Sequence, residues 1–131
     1  MIEFFSDCSS PWSYLAFRNI QPLAVQQGAS INWRPVLVGG IFNTVNQRMY
    51  TSLKAMRGCL WLAQEAVHLP KLLGFVEAAF AAYFTQQADI SQDGVLAEIC
   101  LQTGVPAHAF FAGIALPEIK AQLKANTDEA I

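Results

Sequence analysis

Hydrophobic and polar positions alternate in "INWRPV", residues 31–36, where Ile31, Trp33 and Pro35 stand against Asn32 and Arg34, and the period of two predicts a β-strand. The apolar stretch "IEFFS", residues 2–6, predicts another. Between them the period lengthens. Tyr14, Phe17, Gln21 and Ala24 fall on one helical face; Ser9 or Ser10 can cap that helix, Pro11 suits its first turn and Gly28 stops it. Strand, helix and strand within some 35 residues make a βαβ unit, which favours a parallel pair of strands.

After the two glycines of "VGGIFNTVN" the pattern becomes helical throughout. Leu53, Met56, Leu60, Ala63 and Val67 step by three and four, and so do Val95, Leu96, Ile99, Cys100 and Thr103. "LLGFVEAAFAAYF" is apolar almost all round and is expected to be the central, most buried helix. "DISQDG" reads as a turn, with Ser91 or Asp93 as the cap of the helix that follows. A short helix is expected after Pro106, and a last one from Pro117, with Ile119, Leu123 and Ala130 facing inward. Two strands do not make an independently stable sheet, so further strands or a covering layer are required.

Composition narrows the classes. The 131 residues are 53% hydrophobic and 14% charged with a formal net charge of -2, which describes a soluble globular domain with one core. Mild acidity supplies no basic field for a phosphate backbone, so no nucleic-acid partner is expected. No run approaches the ~20 apolar residues of a membrane helix, and the N-terminus lacks a basic-then-apolar signal pattern. A cytoplasmic protein without membrane contact is the expectation. Cys8, Cys59 and Cys100 are widely spaced, with no Cys-x-x-Cys pair for dithiol exchange or zinc, so neither disulfides nor a metal site is expected.

The candidate chemistry lies in "SDCSSPWSYLAF", residues 6–17. From spacing alone, Ser9 or Ser10 is a helix cap worth ~1 kcal/mol. Trp12 can be packing or a wall for an aromatic substrate, and Cys8, two residues ahead of Ser10, is a weak nucleophile candidate. Asn43 and Asn46 can serve a ligand or merely the turns of their loop. Lys54 and Arg57, three apart on a helix, can meet carboxylates, although a solvated face is the plainer reading. His68 and His108 stand apart, with no companion ligand or base nearby in the sequence, and read as structural.

"EFFSDCSSPWSYLAF" followed by "WRPVLVGGIFN", with "SLKAMRGCLW", "DISQDGVLAEIC" and "LKANTDEAI" later, resembles the 2-hydroxychromene-2-carboxylate isomerase family. This is a glutathione-dependent branch of the DsbA-like thioredoxin superfamily, close to kappa-class glutathione transferases. The resemblance covers nearly the whole chain and implies an α/β, thioredoxin-like fold with an inserted all-helical domain. The expected division is residues 1–50 and 117–131 for the thioredoxin-like part and 51–116 for the insertion. Such proteins carry a longer segment where Tyr50 here meets Thr51, and a cis-proline loop and hairpin after the position of Ile131, so part of the sheet is expected there.

A thioredoxin-type active site sits where the first strand passes into its helix, whose amide dipoles favour a thiolate. Ser10-Pro11-Trp12-Ser13 occupies the Cys-x-x-Cys frame with hydroxyls in place of both thiols. The resemblance puts the catalytic serine at Ser10, with Pro11, Trp12, Asn43 and Asn46 beside glutathione or substrate; Asn43 stands where the family has a lysine. It implies glutathione as cofactor, no metal, and an aromatic or electrophilic small-molecule substrate. The expected reaction is glutathione-dependent cis-trans isomerisation, with kappa-like glutathione transfer or a non-catalytic binding module as alternatives. A homodimer is expected, from the family habit and from Phe75, Phe80, Tyr83, Phe84, Phe110 and Phe111.

Overall fold

The computed structural model describes residues 1–37 and 52–130. Strands β1 (Ile2–Ser6) and β2 (Ile31–Pro35) pair in parallel, Ile2 opposite Ile31 through Ser6 opposite Pro35, with helix α1 (Pro11–Gln26) between them in sequence. The βαβ unit is therefore as the alternation predicts. α1 ends where Gly28, at φ +63°, reverses the backbone, and the Ala29 and Gly28 amides return to the carbonyls of Ala24 and Val25. Glycine takes that left-handed conformation without a Cβ penalty.

The remainder is helical: α2 (Leu53–Gln64), a short 3-10 turn (Leu69–Lys71), α3 (Leu72–Phe80) continuing as a π turn (Ala81–Thr85), α4 (Asp93–Thr103), α5 (Ala107–Ile114) and α6 (Pro117–Ala130). Three expectations change. α2 stops at Gln64, leaving Val67 outside the helix and exposed. Gln92, not Ser91 or Asp93, is the residue before α4; the Asp89 carboxylate accepts the Ser91 amide at 3.0 Å and its hydroxyl at 2.6 Å, holding the turn ahead of it. The most enclosed helix is α2, which buries Ala55, Met56, Gly58, Cys59, Leu60, Trp61 and Leu62, whereas α3 leaves Leu73 and Glu77 exposed. Hydropathy along α3 overstated its burial because one side of the helix, carrying Leu73 and Glu77, faces solvent.

One hydrophobic core runs through the described residues, from Cys8 and Phe17 to Phe110 and Leu123. Phe17 of α1 meets Trp33 of β2 at 5.7 Å between ring centroids and Phe80 of α3 at 5.6 Å, so α1 couples the strands to the helices. Each buried aromatic contributes ~1.5–3 kcal/mol through lost water contact, and Phe4 adds an edge contact to Trp33 at 5.2 Å. α6 holds the strands through polar groups. Arg34 pairs with Glu3 at 3.0 Å and with Glu129, and it donates to Asn126 Oδ1, while Asn126 Nδ2 donates to the Pro35 carbonyl at 3.3 Å. The Leu37 amide donates to Thr127 Oγ1 at 3.1 Å, so the buried ends of β2 and α6 satisfy each other. Phe75, Phe80 and Phe110 are fully buried, and Tyr83, Phe84 and Phe111 pack on the same core; these six close the interior.

α2 approaches α5 at Gly58, where a Cβ would stand 2.6 Å from Phe110 Cζ with Cε2 closer still. The ring cannot retreat easily, because it is fully buried and packed on Phe75 and Trp61. Gly58→Ala is expected to destabilise the fold by ~1–3 kcal/mol through overpacking. Gly74→Ala, on α3 with nothing near its Cβ, should stabilise by ~0.5–1 kcal/mol. Urea denaturation of both variants checks the opposite signs; equal effects would contradict the close approach.

Candidate functional site

The loop 7–10 carries the chain from β1 into α1, and its geometry answers whether a serine caps or is free for chemistry. Ser10 is the N-cap, extended at φ -97° and ψ 120°, and its Oγ accepts the Ser13 amide at 3.2 Å. Pro11 follows at the first helical position, where a missing N–H costs nothing. Accepting one hydrogen bond leaves the Ser10 hydroxyl proton available for donation. Ser13 instead ties the helix back to the strand end, its Oγ accepting the Asp7 amide at 3.3 Å. The two hydroxyls of the four-residue frame are thus not equivalent.

Asp7 has no distinguishing mark in the sequence, yet it organises this loop. It is fully buried, and its carboxylate accepts the Ser9 amide and the Ser9 hydroxyl, each at 2.9 Å, while its carbonyl accepts the Ser10 amide at 3.0 Å. An aspartate two residues before a serine is the signal of such an Asx-type turn. Ser9 is consequently committed to Asp7, which resolves the choice of cap in favour of Ser10. Among the described residues the Trp12 amide has no hydrogen-bond partner, and no acidic residue stands in the first turn of α1. The helix start therefore offers one O–H and one N–H in a region of positive potential.

Trp12 is 78% exposed and Pro11 is also exposed, so neither is core packing among the described residues. Asn43 and Asn46 lie outside the described residues. Lys54 is paired with Asp93 at 2.8 Å. Arg57, one turn on, is instead half-buried with its Nε unpartnered. His68 lies against the Trp61 ring at 4.5 Å between centroids, and His108 is exposed. No group of three or more His, Cys, Asp or Glu suited to a metal ion occurs among the described residues, and no helix there is long and apolar enough to cross a membrane.

Cys8 faces inward beside Cys59, both buried. The hydrogen bond to the Cys59 thiol pushes the Cys8 thiol well above its ordinary range, and burial and the Asp7 carboxylate add to this. A thiol held protonated is a poor nucleophile. Burial likewise pushes the Cys100 thiol up to about 11. Both thiols are protonated in the fold at pH values where an unfolded thiol, titrating near ~8.5, has begun to ionise. Their contribution to stability is complete below that value and is lost as pH rises towards the folded values. Urea midpoints should therefore hold up to about pH 8 and fall between about pH 9 and 11, and Cys8 should resist alkylation in the folded protein at neutral pH. A midpoint that rises through that window would contradict both assignments.

The comparisons with known proteins agree with this arrangement of strand, capped helix and helical remainder. A solved structure of a putative protein disulfide isomerase from Nitrosomonas europaea superposes with a TM-score of 0.77 at 14% identity, covering 98% of this chain and 76% of that one. At that identity the likeness is one of fold. No curated protein matches the chain. The family model of the DSBA-like thioredoxin domain matches residues 1–131, the entire chain. With its first strand delivering Ser10 to the start of α1 in that framework, the chain belongs to the DSBA-like thioredoxin domain family.

Proposed function

We propose that the protein is a glutathione-dependent cis-trans isomerase of the 2-hydroxychromene-2-carboxylate type, acting on an aromatic conjugated substrate. The observation that carries this reading is the donor pair at the start of α1, the Ser10 hydroxyl and the Trp12 amide, which has no partner among the described residues, with both frame positions held by serine. A hydroxyl cannot form a mixed disulfide, so the dithiol exchange suggested by the name of the Nitrosomonas europaea protein has no nucleophile in this frame. Cys8 does not replace it, being buried and held protonated.

The residues present suit a thiolate ligand. Glutathione, when bound, supplies a sulfur anion whose reversible addition to a conjugated double bond permits rotation about that bond. Ser10 donates its hydroxyl proton to the anion and so favours its charged form. The Trp12 amide adds a second donor and the α1 dipole a third favourable contribution. Asp7 fixes the loop through Ser9, so Ser10 is oriented before any ligand arrives. The exposed Trp12 ring lies next in sequence to the donors and offers a face for an aromatic substrate. Homodimerisation belongs to the same reading; the phenylalanines are spent on the core, and support comes instead from Trp12, Leu15 and Leu23, all at least half exposed along α1.

Calorimetry at millimolar glutathione is expected to detect binding to the parent. The thiol pKa of bound glutathione should rise by ~1–2 units in Ser10→Ala, matching the loss of one hydrogen bond to a charged group. During turnover the substrate spectrum should change while total glutathione stays constant. Absence of binding would sink the proposal, and an accumulating thioether conjugate would assign transfer in its place. Light scattering at micromolar concentration should return twice the chain mass; a monomer overturns the dimer alone.

A further inference from the structure

A cleft of about 230 Å³ lies where the end of β2 meets α2 and α6, lined by Leu37, Leu53 and Leu123 on its apolar side and by Arg57, Lys120 and Lys124 on its charged side. The carboxylate at its wall, Asp128, is paired with Lys124 at 2.7 Å, so among the described residues Arg57 and Lys120 face the cleft without a neutralising partner. Arg57 is the unusual group. It has no ion pair or hydrogen bond among the described residues, and its Nε is buried without an acceptor. Its guanidinium is pulled below the ordinary range by burial alone, with no acid to offset it. A partly buried charge of this kind is costly unless paired. The wall is held in shape regardless of any ligand, because Thr127 Oγ1 accepts the Leu37 amide and donates to the Leu123 carbonyl at 2.9 Å.

We propose that this cleft is a binding site for a small organic carboxylate, its head on the Arg57 guanidinium and its hydrocarbon body against Leu37, Leu53 and Leu123. Guanidinium and carboxylate match as planar, bidentate partners. The size suits a single ring, since an engineered cavity of ~150 Å³ accepts benzene. An inorganic dianion is a poorer fit: it leaves the leucine side unused and sits beside Asp128. Lys120 supplies longer-range attraction from the rim. The site is separate from Ser10, so it stands or falls independently of the thiolate reading.

Calorimetric titration of the full chain with benzoate, benzyl alcohol and inorganic phosphate tests it, alongside thermal unfolding of the parent, Arg57→Gln and Arg57→Met. Benzoate should bind the parent and raise its unfolding temperature with concentration. Benzyl alcohol, which keeps the ring but not the charge, should bind at least about tenfold more weakly, and Arg57→Gln should weaken benzoate by a similar factor. Without ligand, Arg57→Met should unfold at the same temperature as the parent or higher, since an unpaired charge is removed. Ser10→Ala should leave benzoate binding unchanged. Equal affinity for the alcohol, unaltered benzoate affinity in Arg57→Gln, phosphate bound in preference to benzoate, or a lower unfolding temperature for Arg57→Met would each overturn the site. Should Arg57→Gln fail to fold, the contrast between benzoate and benzyl alcohol on the parent still decides.

Discussion

Phe17 stands between Trp33 and Phe80, and through it the aromatic core runs unbroken from the strands into the helices. Two parallel strands bury too little surface to persist alone. They gain a covering layer because α1 presents Phe17 to β2 and to α3 at once. Tyr14 extends the same seam, stacking on Phe80 at 4.8 Å and on Phe84 at 5.9 Å. The orientation of α1 is thereby determined by core packing rather than by anything at the site, and the helix start inherits it.

That inheritance leaves the loop of residues 7–10 tied at both ends, through Asp7 to the strand and through Ser10 to the helix. A capped helix end on an anchored helix keeps its donors in place without reorganisation, the condition under which such donors stabilise charge most effectively. Asp7 completes the arrangement from the strand side by satisfying Ser9, leaving Ser10 to the helix. The cleft at Arg57 has the opposite character. Its walls are as well held, but its central charge has no partner among the described residues, and groups kept at a cost to stability are commonly kept for function.

Much of this was legible in the chain. Both strands were bounded within a residue, because period-two alternation and flanking turn residues leave little freedom. Gly28 marked the end of α1 for a steric reason local to one residue. Position between a strand and a proline-started helix marked Ser9 or Ser10 as the cap, and the family resemblance singled out Ser10 as the candidate. Asp7 was not found in its role, and Arg57 was offered only alongside Lys54 as a cation able to meet carboxylates, with a solvated face the plainer reading for both. An aspartate in a turn and an arginine on a helix are ordinary in sequence, and what distinguishes them is which partner groups lie within hydrogen-bond reach.

By itself, the sequence determined local matters: which stretches extend or coil, where α1 begins and stops, and that hydroxyls occupy the frame of residues 10–13. These depend on dihedral preference, capping and period, all set by neighbours along the chain. Only the tertiary structure decided that α2 is the most enclosed helix, that Cys8 is sealed against Cys59, and that Lys54 is paired while Arg57 is unpaired among the described residues. Burial and charge pairing are properties of elements brought together from distant parts of the chain, and periodicity carries the direction of a face without naming what will cover it.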